Sequence, residues 1–291
     1  MHENETKWQA SFEKEADDWQ KVYVEHDGFR YHVRSERMDI AADLLKRHCP
    51  EAKGTEVLDL GCGPGLFCSR MAAEGYSMTG LDYSEKMIHI AEENTGKDGV
   101  AELCTFRSGD FHSVELPEGK YDAVVALGFV EYIFDVDRLY EKIGRLLRPN
   151  GVAIVQIYNI DSIPNVFDFA TGPFRVFNPA VVLRKIFGSG KKQPALPAKK
   201  ESDSESDEDE PIERIWYTPK KLDAALKKHD LEKAEGIGHV FGNFKYRDKR
   251  VFSENNSIRL EKLFRSASRG WPFRWLNFKG DNYIASYLKK S

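Results

Sequence analysis

The spacing of apolar residues along this chain changes several times. Near the N-terminus they recur every three or four positions, the period of one helix face, at Trp8, Phe12, Ala16, Trp19 and Tyr23. A second helix is predicted from about Tyr31 to His48, because Pro50 disfavours helix in the residue before it. The two helices would form an N-terminal helical cap over residues 1–50.

From residue 56 the pattern becomes short apolar runs separated by helical stretches, which is typical of a parallel sheet covered on both faces. Strands are predicted at 56–60, 76–81, 102–106, 121–127 and 151–158. Helices are predicted to begin near Gly65, Ser84 and Asp135, the last ending at a turn formed by Arg148-Pro149-Asn150-Gly151. This core would span residues 51–159.

The alternation of strands and helices stops after Tyr158. Residues 160–211 are predicted to be an insertion after the fifth strand, and about 188–211 a disordered acidic linker, because ESDSESDEDE at 201–210 carries seven acids and no base. The pattern resumes at Thr218-Pro219, a favoured N-cap and first helical residue, with a helix to about His229. Strands at 231–240 and 281–288 would complete the core within residues 212–291.

Composition then excludes several protein classes. A chain of 291 residues with 41% apolar residues can bury a full core. No apolar run approaches the roughly 18 residues of a bilayer helix, and the first residues do not resemble a signal peptide. The four cysteines fit neither a zinc-ligand spacing nor a disulfide framework. We therefore expect a cytoplasmic protein with no metal site and no membrane span.

The most informative segment lies where the first predicted strand meets a helix. Residues 57–60 form a buried-strand pattern that runs into Gly61, Gly63 and Gly65. These glycines would let the backbone turn sharply and approach a ligand at the carboxyl edge of the sheet. Asp82, at the end of the next strand, can accept hydrogen bonds from both hydroxyls of a ribose. The pattern predicts a nucleotide-derived ligand.

Two classes of cofactor fit these residues. The dinucleotide fingerprint requires a glycine or alanine where Leu66 stands. Asp59, two residues before the first glycine, would repel the pyrophosphate of NAD but attract a ligand that carries an ammonium and a sulfonium. These two residues favour S-adenosylmethionine (SAM) and disfavour an NAD-dependent oxidoreductase.

On these residues the chain resembles the class I SAM-dependent methyltransferases. The resemblance rests on D-x-G-x-G-x-G at 59–65, the acid that closes the second strand, and the segments at 108–111, 121–128 and 147–152. It covers roughly residues 50–160 and 215–290. It implies an α/β fold with a Rossmann-like, doubly wound, mixed seven-stranded sheet whose last strand is antiparallel.

The resemblance also implies a role for individual positions. Asp59 would face the amino-acid end of the cofactor, Asp82 would hold the ribose, and Leu127 would lie beside the methionine part. The glycines that would line the cofactor are Gly61, Gly63 and Gly65, and the residues that would surround its adenine are Tyr83, Met87, Gly109, Asp110 and Phe111.

In this family the acceptor attacks the methyl group in line with the sulfur, and S-adenosylhomocysteine is the product. Holding the two reactants in line supplies much of the catalysis, and a base is needed only when the acceptor must lose a proton. His239 and Tyr158 lead the candidate bases, ahead of Glu131 and His112, because the loops after their strands usually face the acceptor in this architecture. We expect transfer to an oxygen, nitrogen or carbon of a small, apolar or aromatic molecule.

Two alternative functions stay open. Residues 241–291 carry twelve Lys/Arg against four Asp/Glu, interleaved with aromatic residues, so an RNA methyltransferase could use this stretch, or it could meet an anionic membrane surface. We favour a division of the stretch between core and surface, and nucleic acid is not the expected partner. Residues 127–130 lack the N-P-P-Y type of motif of enzymes that methylate amino groups of nucleic-acid bases, which disfavours that route but leaves ribose and other chemistry open. The other alternative is a non-catalytic SAM-binding or scaffolding module whose acidic tract docks a partner.

Overall fold

A computed structural model describes residues 28–133, 135–163, 217–242, 244–246, 249–270 and 272–290. The first predicted helix, most of the predicted insertion and the acidic tract lie outside the described residues. The proposed division of the chain into four parts therefore stays a prediction.

The described helices and strands alternate along the chain. The helices are α1 (Gly28–His48), α2 (Leu66–Ala73), α3 (Glu85–Lys97), α4 (Val136–Leu146), α5 (Pro219–Lys227) and α6 (Glu254–Ser268). The strands of the main sheet are β1 (Glu56–Leu60), β2 (Ser77–Asp82), β3 (Cys104–Ser108), β4 (Tyr121–Ala126), β5 (Leu147–Tyr158), β6 (Leu231–His239) and β7 (Asn282–Lys289).

These strands form one seven-stranded sheet in the order β3-β2-β1-β4-β5-β7-β6. The five strands β3, β2, β1, β4 and β5 are parallel to one another, whereas β7 runs antiparallel to both β5 and β6. The predicted fold class, a mixed seven-stranded sheet with an antiparallel last strand, is confirmed. The strand order reverses between β1 and β4, the place where open α/β sheets bind their ligands.

The sheet is covered on both faces by helices. Leu58 and Leu60 belong to the apolar layer under α4 and α5, whereas Val57 belongs to the layer under α1 and α2. Because successive strand residues face opposite sides, Asp59 points to the same face as Val57. An acid at this position is thereby directed towards α1.

Side-chain caps explain three of the helix starts. Ser84 accepts a hydrogen bond from Met87 N at 3.2 Å, and Thr218 accepts one from Lys221 N at 3.2 Å. Asp135 accepts one from Arg138 N, also at 3.2 Å. Each cap satisfies a backbone N–H that has no partner within the helix. The predicted starts near Ser84, Asp135 and Thr218 agree with these caps.

Two strands begin two or more residues away from their predicted starts, whereas the other strand ends agree to within one residue or, for β3, two. β5 begins at Leu147, so the predicted turn at 148–151 is part of the strand, with Asn150 at a φ of 64° and a shift in the pairing with β4. β3 begins at Cys104 rather than residue 102, because Ala101–Leu103 forms a 3₁₀ turn. In both places a local backbone irregularity is invisible to the apolar pattern.

The region between β6 and β7 contains a helix that the sequence analysis did not predict. It holds a short hairpin (Lys245–Tyr246 with Lys249–Arg250), α6 and a 3₁₀ segment, Phe273–Phe278. The buried residues of α6 are Ser257, Glu261 and Ser268. Leu260, Leu263, Phe264 and Ala267 do follow the i, i+3, i+4, i+7 spacing of one helix face, so the sequence held a signal for α6 that the prediction did not use.

Candidate active site

The turn from β1 into α2 requires glycine at two positions. Gly61 and Gly65 have φ values of 70° and 73°, in the left-handed region. A Cβ on Gly61 would lie 2.8 Å from Phe129 Cδ2, and one on Gly65 would lie 2.7 Å from Ala91 Cβ. The turn therefore presents backbone at the carboxyl edge of β1, with no room for side chains at these two positions.

Asp82 joins the loops that follow three neighbouring strands. Its Oδ2 accepts a hydrogen bond from Gly63 N at 2.8 Å, and its Oδ1 accepts one from Ser84 N at 3.0 Å. Its backbone carbonyl accepts the N–H of Gly109 at 2.9 Å. The predicted glycine turn, Asp82 and Gly109 thus lie together at one edge of the sheet.

Asp59 is buried beside this turn, with 3% of its surface exposed. Burial raises the pKa of its carboxyl to about 7. Two neighbours oppose this rise and lower the pKa: the thiol of Cys68, which lies 3.5 Å from Oδ2, and the guanidinium of Arg37. Near neutral pH this carboxyl is poised between its two protonation states, and a cation placed beside it would favour the ionised one.

The residues assigned to the adenine divide into exposed and buried ones. Tyr83 is 44% exposed, whereas Met87 and Phe111 are 5% and 3% exposed. The Phe111 ring packs edge-on against Phe129, with ring centroids 6.0 Å apart. Asp110 accepts the backbone N–H of His112 at 3.0 Å, which fixes its carboxylate at the start of a turn. Tyr83 and Asp110 are therefore the more accessible members of this set.

Arg37 reaches from α1 to the end of β4. A Cβ on Gly128, which has a φ of 68°, would lie 2.7 Å from Arg37 Nη1. Leu127, the preceding residue, is buried in the layer under α1. Sequence reasoning did not identify Arg37, since no motif distinguishes it from the other charged residues of α1.

The two predicted catalytic residues lie in one row of the sheet. Tyr158 of β5 and His239 of β6 both pair with Asn282 of β7, so all three side chains point to the face covered by α1. Tyr158 is partly exposed and His239 is fully buried. The structure brings them to the same edge, with Asn282 between them.

His239 belongs to a group of buried and partly buried ionisable residues that sequence reasoning largely missed. We call this group the polar cluster; its members are His32, Glu36 and Arg37 of α1, His239, and Glu261 and Arg265 of α6. Arg265 Nε donates to Glu36 Oε1 at 3.0 Å, and Glu36 Oε2 lies 3.9 Å from His239 Nδ1. Burial, reinforced by Arg265, Arg37 and His32, lowers the pKa of His239 well below its usual value. The imidazole is therefore neutral near pH 7.

Glu261 ties the polar cluster to the end of β6. Its carboxyl accepts the N–H groups of Val240, at 2.9 Å, of Phe241 and of Gly242, at 3.2 Å. Val240 has a φ of 66°, a costly conformation for a β-branched residue, and these bonds hold it there. Burial and contact with the Glu36 carboxyl raise the pKa of Glu261 to about 8, so Glu261 is largely protonated near neutral pH.

Several polar atoms around the cluster are buried without a hydrogen-bond partner among the residues that the structure describes. They are His32 Nε2, Arg37 Nε, both ring nitrogens of His239 and Asn282 Oδ1. Buried polar groups are nearly always hydrogen-bonded. Because these atoms are grouped beside α1, we infer that water or the polar part of a ligand binds there and supplies their missing hydrogen bonds.

Comparison with known proteins agrees with this geometry. Residues 51–210 match the family model described as a methyltransferase domain. This chain belongs to the class I methyltransferases. The ubiquinone biosynthesis O-methyltransferase of Azorhizobium caulinodans is 31% identical over 130 residues, which cover 42% of this methyltransferase and 51% of that protein. The chain spans about half the length of the curated relatives it matches.

Solved structures share the fold of this methyltransferase at low identity. One is magnesium protoporphyrin IX methyltransferase of Synechocystis PCC 6803, solved with S-adenosylhomocysteine. The match covers 99% of this chain and 100% of that protein, with a TM-score of 0.59 and 15% identity. Another is phosphoethanolamine N-methyltransferase 2 of Haemonchus contortus, solved with S-adenosyl-L-methionine. The match covers 87% of this chain and 53% of that protein, with a TM-score of 0.53 and 18% identity. The resemblance seen in the sequence is thereby confirmed.

Proposed function

We propose that this protein transfers a methyl group from SAM to an oxygen, nitrogen or carbon atom of a small molecule. The observation that carries the proposal is the placement of two carboxylates about one glycine turn, with Asp82 bonded to Gly63 N at 2.8 Å and Asp59 buried at the end of β1. This arrangement suits a ligand with a ribose and a cationic amino-acid end.

The residues of the turn fit such a ligand. Gly61 and Gly65 leave no side chain where the cofactor backbone would pass, and Asp82 would receive the ribose hydroxyls. Asp59 would face the ammonium group, and Tyr83 and Asp110 would hold the adenine. When bound, SAM supplies a methyl group on a cationic sulfur, which is a good leaving group.

His239 would accept the proton of an acceptor that has to be deprotonated. Its neutral imidazole has an available lone pair, and Glu36 at 3.9 Å would stabilise the imidazolium that forms. Tyr158, in the same row of the sheet, would orient the acceptor. The unpartnered polar atoms under α1 favour an acceptor that carries a hydroxyl or amine beside its apolar part.

Methylation assays test this proposal directly. The full chain would be incubated with SAM and a panel of phenols, catechols and amines, and methyl transfer would be followed by mass spectrometry. We expect His239→Gln to bind S-adenosylhomocysteine as well as the parent chain but to lose most turnover of a hydroxyl acceptor. Equal turnover by parent and variant across the panel would remove His239 from the mechanism.

The cytoplasmic location also stays a proposal. It is supported by the four cysteines, Cys49, Cys62, Cys68 and Cys104, all of which are free thiols.

A further inference from the structure

The outer side of α6 and its C-terminal end carry exposed cations. Arg259, Lys262 and Arg269 are exposed and recur at intervals that place them on one helical face, opposite the buried Ser257 and Glu261. Arg274, in the 3₁₀ segment, is exposed as well. None of these four cations has an ion pair or hydrogen bond within the described part of the chain.

Large apolar side chains lie exposed next to these cations. Phe273, Trp275 and Phe278 are 51%, 53% and 43% exposed, and Leu263 of α6 is 64% exposed. None of the aromatic residues of the 3₁₀ segment is buried. Large apolar side chains grouped on a surface mark an interaction site.

A groove of about 290 Å³ runs between α6 and the 3₁₀ segment. Every residue that lines it is apolar: Ile163, Leu263, Phe264, Ala267, Phe273, Trp275 and Leu276. A groove without polar groups suits hydrocarbon and offers nothing to read the edge of a nucleic-acid base. The aromatic rings at its rim have the amphipathic character of residues found at membrane–water interfaces.

We propose that this surface, made of the outer face of α6 and the 3₁₀ segment, docks on an anionic lipid bilayer. The cations would meet lipid phosphates, Phe273 and Trp275 would enter the headgroup region, and the groove would take acyl-chain carbon. The two kinds of contact act together, because either one alone gives weak and reversible binding. None of the described helices is long and apolar enough to cross a bilayer, so the contact is made at the surface.

A bilayer bound to this surface would also lie close to the polar cluster. The inner side of α6 carries Glu261 and Arg265, which contact the end of β6 and Glu36, while its outer side carries the lipid-facing cations. One helix thus separates the bilayer from the side of the sheet that holds His239. An apolar acceptor dissolved in lipid would have a short route to the site.

Vesicle flotation of the full chain tests the proposal. We expect binding to phosphatidylcholine vesicles that contain phosphatidylserine, weaker binding to phosphatidylcholine alone, and a loss of binding as salt is raised. Arg269→Glu combined with Arg274→Glu should reduce the affinity for these vesicles at least 30-fold. One surface Lys or Arg contributes ~1 kcal/mol, which is about fivefold in affinity for each charge removed, and reversing a charge costs more than removing it. Phe273→Ser combined with Trp275→Ser should reduce binding to both kinds of vesicle.

Matched controls separate this surface from a general effect of charge. Lys53→Glu alters an exposed lysine before β1, at the opposite edge of the sheet, and should leave vesicle binding unchanged. All variants should bind S-adenosylhomocysteine like the parent, which shows that they are folded. Brominated lipid should quench the tryptophan fluorescence of the parent more than that of Trp275→Phe.

Three results would overturn the proposal. One is the absence of vesicle binding at low salt, and another is equal binding by the parent and both double variants. The third is binding of a structured RNA that depends steeply on salt and is lost in the arginine double variant, together with no binding to vesicles. The surface would then be a nucleic-acid site.

Discussion

The carboxylate of Asp82 accepts the backbone N–H of Gly63 at 2.8 Å and so holds the turn after β1 against the end of β2. The same side chain would bind the ribose of the cofactor. Its structural and binding roles can be partly separated by substitution, because the single amide oxygen of asparagine can still accept one of the two backbone N–H groups but carries no charge.

Asp82→Ala should lower the affinity for S-adenosylhomocysteine about 100-fold or more, because two charge-assisted hydrogen bonds of roughly 1.5–3 kcal/mol each are lost. Asp82→Asn can accept the N–H of Gly63 but not that of Ser84 as well, and it should lose less affinity than Asp82→Ala, about tenfold. Isothermal titration calorimetry would measure both. Wild-type affinity in the alanine variant would rule out contact between Asp82 and the ribose.

The glycines of the turn can be tested against a glycine of similar φ in open space. Gly99 has a φ of 74° with nothing within 4 Å of a built Cβ, so Gly99→Ala should cost about 1–2 kcal/mol of unfolding free energy from strain alone. Gly65→Ala, at 73°, should cost a further ~1–3 kcal/mol, because its Cβ would lie 2.7 Å from Ala91 Cβ. Equal denaturation midpoints for the two variants would show that crowding at Gly65 is unimportant.

The protonation of Asp59 should make cofactor affinity depend on pH. Burial raises the pKa of this carboxyl to about 7, so it is largely neutral at pH 6 and ionised at pH 8. Affinity for SAM should rise as pH increases through 7, because the ionised form attracts the ammonium and sulfonium groups. Asp59→Asn should bind more weakly and lose this dependence between pH 5.5 and 7.5. A dependence that survives in the asparagine variant would assign it to another group.

Glu261 should make the stability of the unliganded protein fall as pH rises. Its pKa is about 8 in the folded protein, above its ordinary value of 4.5, so the stabilisation is fully present below about 4.5 and is lost as pH rises through 8. Glu261→Gln does not titrate; its amide oxygen can accept the N–H of Val240, whereas its NH2 group cannot accept those of Phe241 and Gly242, so the variant should be less stable than the parent at low pH. Its urea midpoint should therefore fall less than that of the parent between pH 6 and 9, and parallel pH profiles would contradict the raised pKa of Glu261.

The main sheet was predictable from the sequence because its strands are buried apolar runs with clear boundaries. β1 and β4 are buried on both faces, and the Gly61–Gly65 turn has a motif of its own. The polar cluster was not predictable. Glu36 and Glu261 are 225 positions apart and resemble surface acids in the sequence. The apolar spacing of Leu260, Leu263 and Ala267 could have indicated α6, but not that this helix buries Ser257, Glu261 and Ser268. His239 alone was identified, through its position at the end of a predicted strand.

The most direct test of the central claim is calorimetric titration of the purified chain with S-adenosylhomocysteine and, separately, with NAD. Two carboxylates about a glycine turn should select the nucleoside with a cationic amino-acid end. We predict clear saturable binding of S-adenosylhomocysteine that is abolished or strongly weakened by Asp82→Ala, and little or no binding of NAD. Equal affinity for both ligands, or binding of NAD alone, would contradict the account.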